Sequence, residues 1–177
     1  MKKIVIVLAL IITFIVIFVL GQKTYNKEDS SINSFEDCVA AGYLVLESYP
    51  RQCKTPDNQT FIEDIGNELE KIDLIRINNP RPNEIVKSPL VIQGEARGLW
   101  FFEADFPIKI FDANNNLLGF TIAVAQEDWM SEDFVPFLAE IEFEKPLTKK
   151  GFLVLEKDNP SGLAENEDHL LVPIIFE

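Results

Sequence analysis

Two hydrophobic patterns divide the chain. Residues 4–20 are apolar throughout apart from Thr13, whereas from Leu74 onward apolar and polar residues tend to alternate every second position. Seventeen uncharged residues in a row predict a helix rising about 25 Å, close to the ~30 Å hydrocarbon core of a bilayer. The alternating half predicts half-buried antiparallel strands. Trp100, Phe102, Ala104, Phe106, Ile108 and Ile110 fall on one face, with Glu103, Asp105 and Lys109 on the other. Asp112 to Asn116 predict a hairpin turn, after which Leu118, Phe120, Ile122 and Val124 continue the same inward face. Phe137, Ala139, Ile141 and Phe143 alternate with Glu140, Glu142 and Glu144. Further strands are expected at Leu74–Ile77, ahead of the proline-rich turn 79–83, and at Leu90–Gly94, Phe152–Glu156 and Leu170–Phe176. About seven short strands separated by turn residues, with little helix, point to an all-β antiparallel sandwich.

The intervening residues predict smaller elements. Residues 1–22 read as a membrane anchor or signal segment and 23–34 as a polar tether. Residues 35–63 read as a two-cysteine mini-element, 64–73 as an acidic linker with room for one helical turn, and 74–177 as the sandwich. Ser34 can cap a short helix that Gly42 ends. Pro56-Asp57-Asn58 turn the chain back into a small strand at Thr60–Ile62. Lys2 and Lys3 precede the apolar run, which places the amino terminus in the cytoplasm and the carboxyl-terminal domain outside the plasma membrane. Retention as a single-pass anchor through residues 4–21 is the favoured reading. Val19 and Gly21 are small enough for a cleavage site, which would make the protein secreted.

Composition narrows the partners. Residues 23–177 hold 14 basic and 29 acidic residues, a formal charge of −15. Such a surface repels phosphate, so nucleic acid and anionic lipid are poor partners, and its plainest meaning is solubility. Cys38 and Cys53 both lie in the exported part, where disulfides persist, and are expected to pair. Closing that loop stabilises the local fold by about 3 kcal/mol in the chain-entropy view. Two cysteines and one remote histidine, His169, do not make a zinc site, and no metal or other cofactor is expected.

Two resemblances add to this. FEDC, SYPRQC and the TF ending of residues 35–63 resemble short two-cysteine segments of exported bacterial proteins. INNPRPNEIVKSPLVIQGEARGLWFFEADFPIKIFD, AQEDWMSEDFVPFLAEIEF, GFLVLEKDNPSG and the terminal VPIIFE resemble the immunoglobulin-like domain of bacterial spore germination proteins, described as GerM-associated. That resemblance covers about residues 74–177 and implies an immunoglobulin-like β-sandwich outside the membrane. Residues 23–73 are too few for the GerM domain that precedes it in spore-formers.

The candidate binding residues are Arg97, Trp100, Glu103, Asp128 and Trp129, which could form one aromatic and acidic patch at an end of the sandwich. Tryptophans in sandwiches more often fill the core, and an Arg97–Glu103 pair would more often lock a loop. No nucleophile, base and orienting group occur together, so no catalytic residue is assigned. Asp112, Asn114 and Asn116 resemble the start of a calcium loop, but Leu117 and Ala123 stand where glycine and glutamate are required. The sequence reading is a membrane-tethered, non-catalytic binding or structural module of the bacterial cell envelope, with an envelope protein or glycan as partner. Its alternatives are an envelope glycan- or peptide-acting enzyme using paired carboxylates and a calcium-stabilised adhesion-type domain.

Overall fold

All but one of the long strands bury alternate residues, and the inward sets meet in one core. The computed structural model describes residues 32–177, of which Ser34–Glu177 pack as one unit. The apolar run and most of the tether lie outside the described residues. Among the described residues no helix is long and apolar enough to cross a membrane.

The chain opens with α1 (Phe35–Ala40), whose N-cap Ser34 accepts a hydrogen bond from the Asp37 amide. Next come β1 (Leu44–Leu46), β2 (Gln52–Lys54) and β3 (Thr60–Ile62), a small antiparallel sheet in the order β1-β2-β3. The Cys38–Cys53 disulfide ties α1 to β2, with both cysteines fully buried. A single helical turn, α2 (Glu68–Lys71), precedes the main sheet system. That system comprises β4 (Ile75–Asn79), β5 (Ile85–Val86), β6 (Leu90–Arg97), β7 (Asp105–Asp112), β8 (Leu117–Ala125), β9 (Phe134–Ile141), β10 (Lys150–Glu156) and β11 (His169–Phe176). Their order is β4-β6-β9-β8-β7-β10-β11-β5, antiparallel except for the parallel pair of β5 and β11.

Strand β8 is the hinge between the two layers of this system. It pairs with β7 along most of its length but with β9 only at Val124↔Leu138 and Ala125↔Phe137. Ile75, Ile77, Ile92, Phe137 and Ile141 from one layer share a buried cluster with Phe106, Ile108, Ile110, Leu153, Leu155 and Val172 from the other. Phe106 meets Phe137 edge-on at 5.0 Å and Phe101 at 5.2 Å, the geometry aromatic rings prefer. The fold is thus mostly β, with an immunoglobulin-like sandwich and the expected disulfide.

Two stretches of the alternation are corrected. The inward face does not run from Trp100 to Ala104, because Gly98–Trp100 form a 3-10 turn and Glu103 and Ala104 adopt positive φ of 52° and 71°. Phe102 and Asp105 exchange backbone hydrogen bonds around that tight turn. Trp100 and Phe101 therefore point inward, while Phe102 is exposed. In β8, Ile110 pairs with Gly119 and Phe111 with Leu117, so Leu118 is an extra residue in the ladder. A one-residue bulge reverses the facing of everything after it. Ala123 is buried, and Phe120, Ile122 and Val124 face solvent.

The amino-terminal element and acidic segment are docked on the sandwich. Arg81, in the proline-rich turn, donates to Glu68 Oε1 at 2.7 Å and to Tyr49 Oη at 2.6 Å, and Tyr49 Oη bonds to Glu68. Glu63 takes a two-pronged bond from Arg51, at 2.9 and 2.6 Å. Asn83 donates to the Asp64 carbonyl at 2.7 Å, and the Asn67 side chain brackets β11 through the His169 carbonyl and Leu171 amide. Lys150 of β10 reaches Glu36 of α1 at 2.6 Å. Gly66 is needed here: its φ is +68°, and a Cβ would lie 1.9 Å from the Leu171 carbonyl oxygen.

Candidate functional site

The candidate residues Arg97, Trp100, Asp128 and Trp129 meet at one end of the sandwich, but as packing and locking groups. Arg97 ends β6, and its guanidinium donates to the Asp73 carbonyl at 3.1 Å and the Glu132 carbonyl at 3.0 Å. It also lies 4.1 Å from the centre of the Phe134 ring, which Arg76 approaches to 3.9 Å. Cation–π contact of this kind holds a loop as well as a ligand. Trp100 is fully buried, its carbonyl accepts from the Asp158 amide, and its indole Nε1 has no hydrogen-bond partner among the described residues. Trp129 packs against the core cluster. Asp128 Oδ1 accepts from the Met130 amide at 3.0 Å and so closes its own turn. Gly98 allows the 129–131 loop to lie flat, because a Cβ there would sit 2.1 Å from the Ser131 carbonyl oxygen. Glu103 is exposed in its left-handed turn, and no ion pair joins it to Arg97 among the described residues. Trp100 is thus closed off from solvent, and Arg97 spends its donors on backbone carbonyls.

A separate cleft of about 430 Å³ opens where the β10–β11 loop stands over the outer face of β7 and β10. Its lining includes Lys109, Glu156, Lys157, Asp158, Glu167 and His169. Lys109 Nζ pairs with Glu156 at 2.7 Å, and at the rim Lys71 pairs with Asp168 at 2.6 Å. His169 begins β11 directly opposite Glu156 and is exposed. The sequence could not place these together: only the cross-strand register brings His169 to Glu156. The cleft has the size of a small-ligand site, with mixed charge and two of its four carboxylates already neutralised by lysine.

The calcium-like stretch is a hairpin turn. Asp112 is fully buried, its Oδ1 accepts from the amides of Asn114 and Asn116, both at 2.9 Å, and its Oδ2 from Asn116 Nδ2 at 2.9 Å. Those donors, the Asn116 side chain first, hold its carboxyl below the usual range. The carboxylate oxygens thus serve the turn.

Elsewhere on the surface, the bulge in β8 leaves Phe120, Ile122 and Val124 beside Leu138 of β9 as an exposed apolar stripe. The alternation alone assigned these side chains to the core, and the one local signal of the bulge is Gly119 beside it, since a glycine inside a strand often marks one.

No curated protein and no solved structure matches the chain. The family described as the immunoglobulin-like domain of bacterial spore germination matches residues 74–164. That span runs from just before β4 into the β10–β11 loop, and so takes in β4 to β10, with the hinge strand and the locked end described above, and stops short of β11. The chain belongs to the family of immunoglobulin-like domains of bacterial spore germination.

Proposed function

We propose that the chain is a membrane-tethered, extracytoplasmic, non-catalytic binding module of the bacterial cell envelope. Residues 1–22 anchor it with the amino terminus in the cytoplasm, 23–34 act as tether, and the docked two-cysteine element and sandwich form the exposed body. The observation that carries the reading is the filled interior. Trp100, Phe101, Phe106 and Phe137 occupy the space between the layers, which leaves recognition to the outer surface. The disulfide and the family support an exported domain. The test is protease treatment of intact, wall-stripped cells carrying the full chain with a carboxyl-terminal tag. The expected result is loss of the tag together with retention of the amino-terminal fragment in carbonate-washed membranes. A tag protected from external protease, or a chain recovered in the cytosol, overturns the reading.

One observation favours the alternative of an envelope glycan- or peptide-acting enzyme: Glu156, Asp158 and Glu167 line one cleft. That reading requires fragment release from purified envelope glycan or peptide by the full chain, abolished by Asp158→Asn.

A further inference from the structure

We propose that the outward face of β8, with Leu138 of β9, docks a cationic amphipathic segment of a partner protein, one that alternates apolar side chains with lysine or arginine. The proposal rests on the reading of the chain as a binding module and names the partner chemistry.

Phe120 is 55% exposed, Val124 48%, Leu138 40% and Ile122 37%, with Leu117 at the bulge 54% exposed. These residues form one stripe, since Phe120, Ile122 and Val124 succeed one another on one side of β8 and Val124 lies directly across from Leu138. A contiguous apolar stripe on so acidic a body marks an interaction surface.

The frame around the stripe identifies the occupant. On the β7 side Asp105 stands opposite Val124. On the other side β9 and its continuation run alongside β8: Thr121 Oγ1 donates to the Glu140 carbonyl at 2.8 Å, and the Glu144 amide donates to the Leu118 carbonyl at 3.0 Å. This register sets the exposed Glu140 and Glu142 beside Ile122 and Phe120. The ion pairs among the described residues include none of Asp105, Glu140 or Glu142. Lys109, which faces Phe120 across the ladder, is already bonded to Glu156 at 2.8 Å. The stripe is therefore flanked by carboxylates without a counter-charge. A second copy would set those carboxylates against their equals, and an anionic lipid surface would be repelled in the same way. An apolar segment carrying lysine or arginine satisfies both the stripe and its border. Because β8 has chain on both sides, side chains rather than free backbone groups make the contact.

The test uses the purified full chain in nanodiscs of zwitterionic lipid and two labelled synthetic peptides, one alternating leucine with lysine and one alternating leucine with glutamate. Fluorescence anisotropy is expected to show binding of the lysine peptide at least tenfold tighter than that of the glutamate peptide. Phe120→Ser with Ile122→Ser is expected to weaken binding of the lysine peptide at least tenfold. Glu140→Gln with Glu142→Gln is expected to weaken it several-fold and flatten its salt dependence, both variants keeping the parent circular dichroism. Equal affinity for the two peptides overturns the proposal, as does binding unchanged in the serine variant. So does a dimer of the full chain, seen by sedimentation, that the serine variant dissolves. Peptide binding is read on purified protein, so its failure is distinct from a failure of the topology test.

Discussion

At the scale of single residues the sandwich is decided by how closely its layers approach. A Cβ on Gly94 of β6 would lie 2.2 Å from the Arg76 carbonyl oxygen and 2.6 Å from the Phe137 ring. Gly94→Ala must therefore displace backbone or an aromatic side chain, and overpacking of this kind costs about 1–3 kcal/mol. Urea denaturation of the variant checks this, and a midpoint equal to that of the parent would contradict the close approach. Some of this scale was readable in the chain: Trp100, Phe106, Ile108 and Ile110 were all expected to point inward, and they do. The facing of Phe120, Ile122 and Val124 is not readable from the alternation, because a single extra residue at Leu118 inverts it and only the neighbouring Gly119 hints at the bulge. Glu103 and Ala104 mislead similarly, since a tight turn with positive φ at both positions ordinarily uses asparagine or glycine.

At the scale of elements the notable result is the union of the two-cysteine unit with the sandwich. Ser34, Gly42 and the two cysteines foretold a capped helix and a stapled hairpin, and both are present. Whether that unit docks could not be read, because the bonds that dock it link Tyr49, Glu68 and Arg81, far apart in sequence. Glu68 has only 7% of its side chain exposed and depends on Arg81 for its counter-charge. Arg81→Ala leaves that carboxylate and the Tyr49 hydroxyl short of a donor, at a cost of about 1–3 kcal/mol. The expected outcome is faster proteolytic cutting within residues 44–72 while the fragment from β4 onward stays resistant. Unchanged cutting in both regions would show that the bridge does not hold the element.

At the scale of the whole molecule, acidity and stability are linked through a few carboxylates. The Arg51 guanidinium holds the Glu63 carboxyl below its ordinary value, and Lys150 does the same for Glu36. Groups lowered on folding contribute stability above the ordinary carboxylate value, roughly pH 4, and that contribution is lost as pH falls through their folded values. Stability is expected to fall on acidification below about pH 4, and Glu63→Gln to show a shallower fall when urea midpoints are plotted against pH. An identical slope would remove Glu63 from that linkage. Seven of the eight strands and the two-layer plan were legible in the alternation, whereas β5, only two residues long, is too short to show a period. The cleft was not, because it forms only when the loop between β10 and β11 folds back over a register that no short window contains. The parallel pairing of β5 with β11 has a mechanical consequence. Tension entering from the amino-terminal side and drawn out at Glu177 would pull these two strands past each other, so their hydrogen bonds would share the load and resist together instead of peeling open one by one.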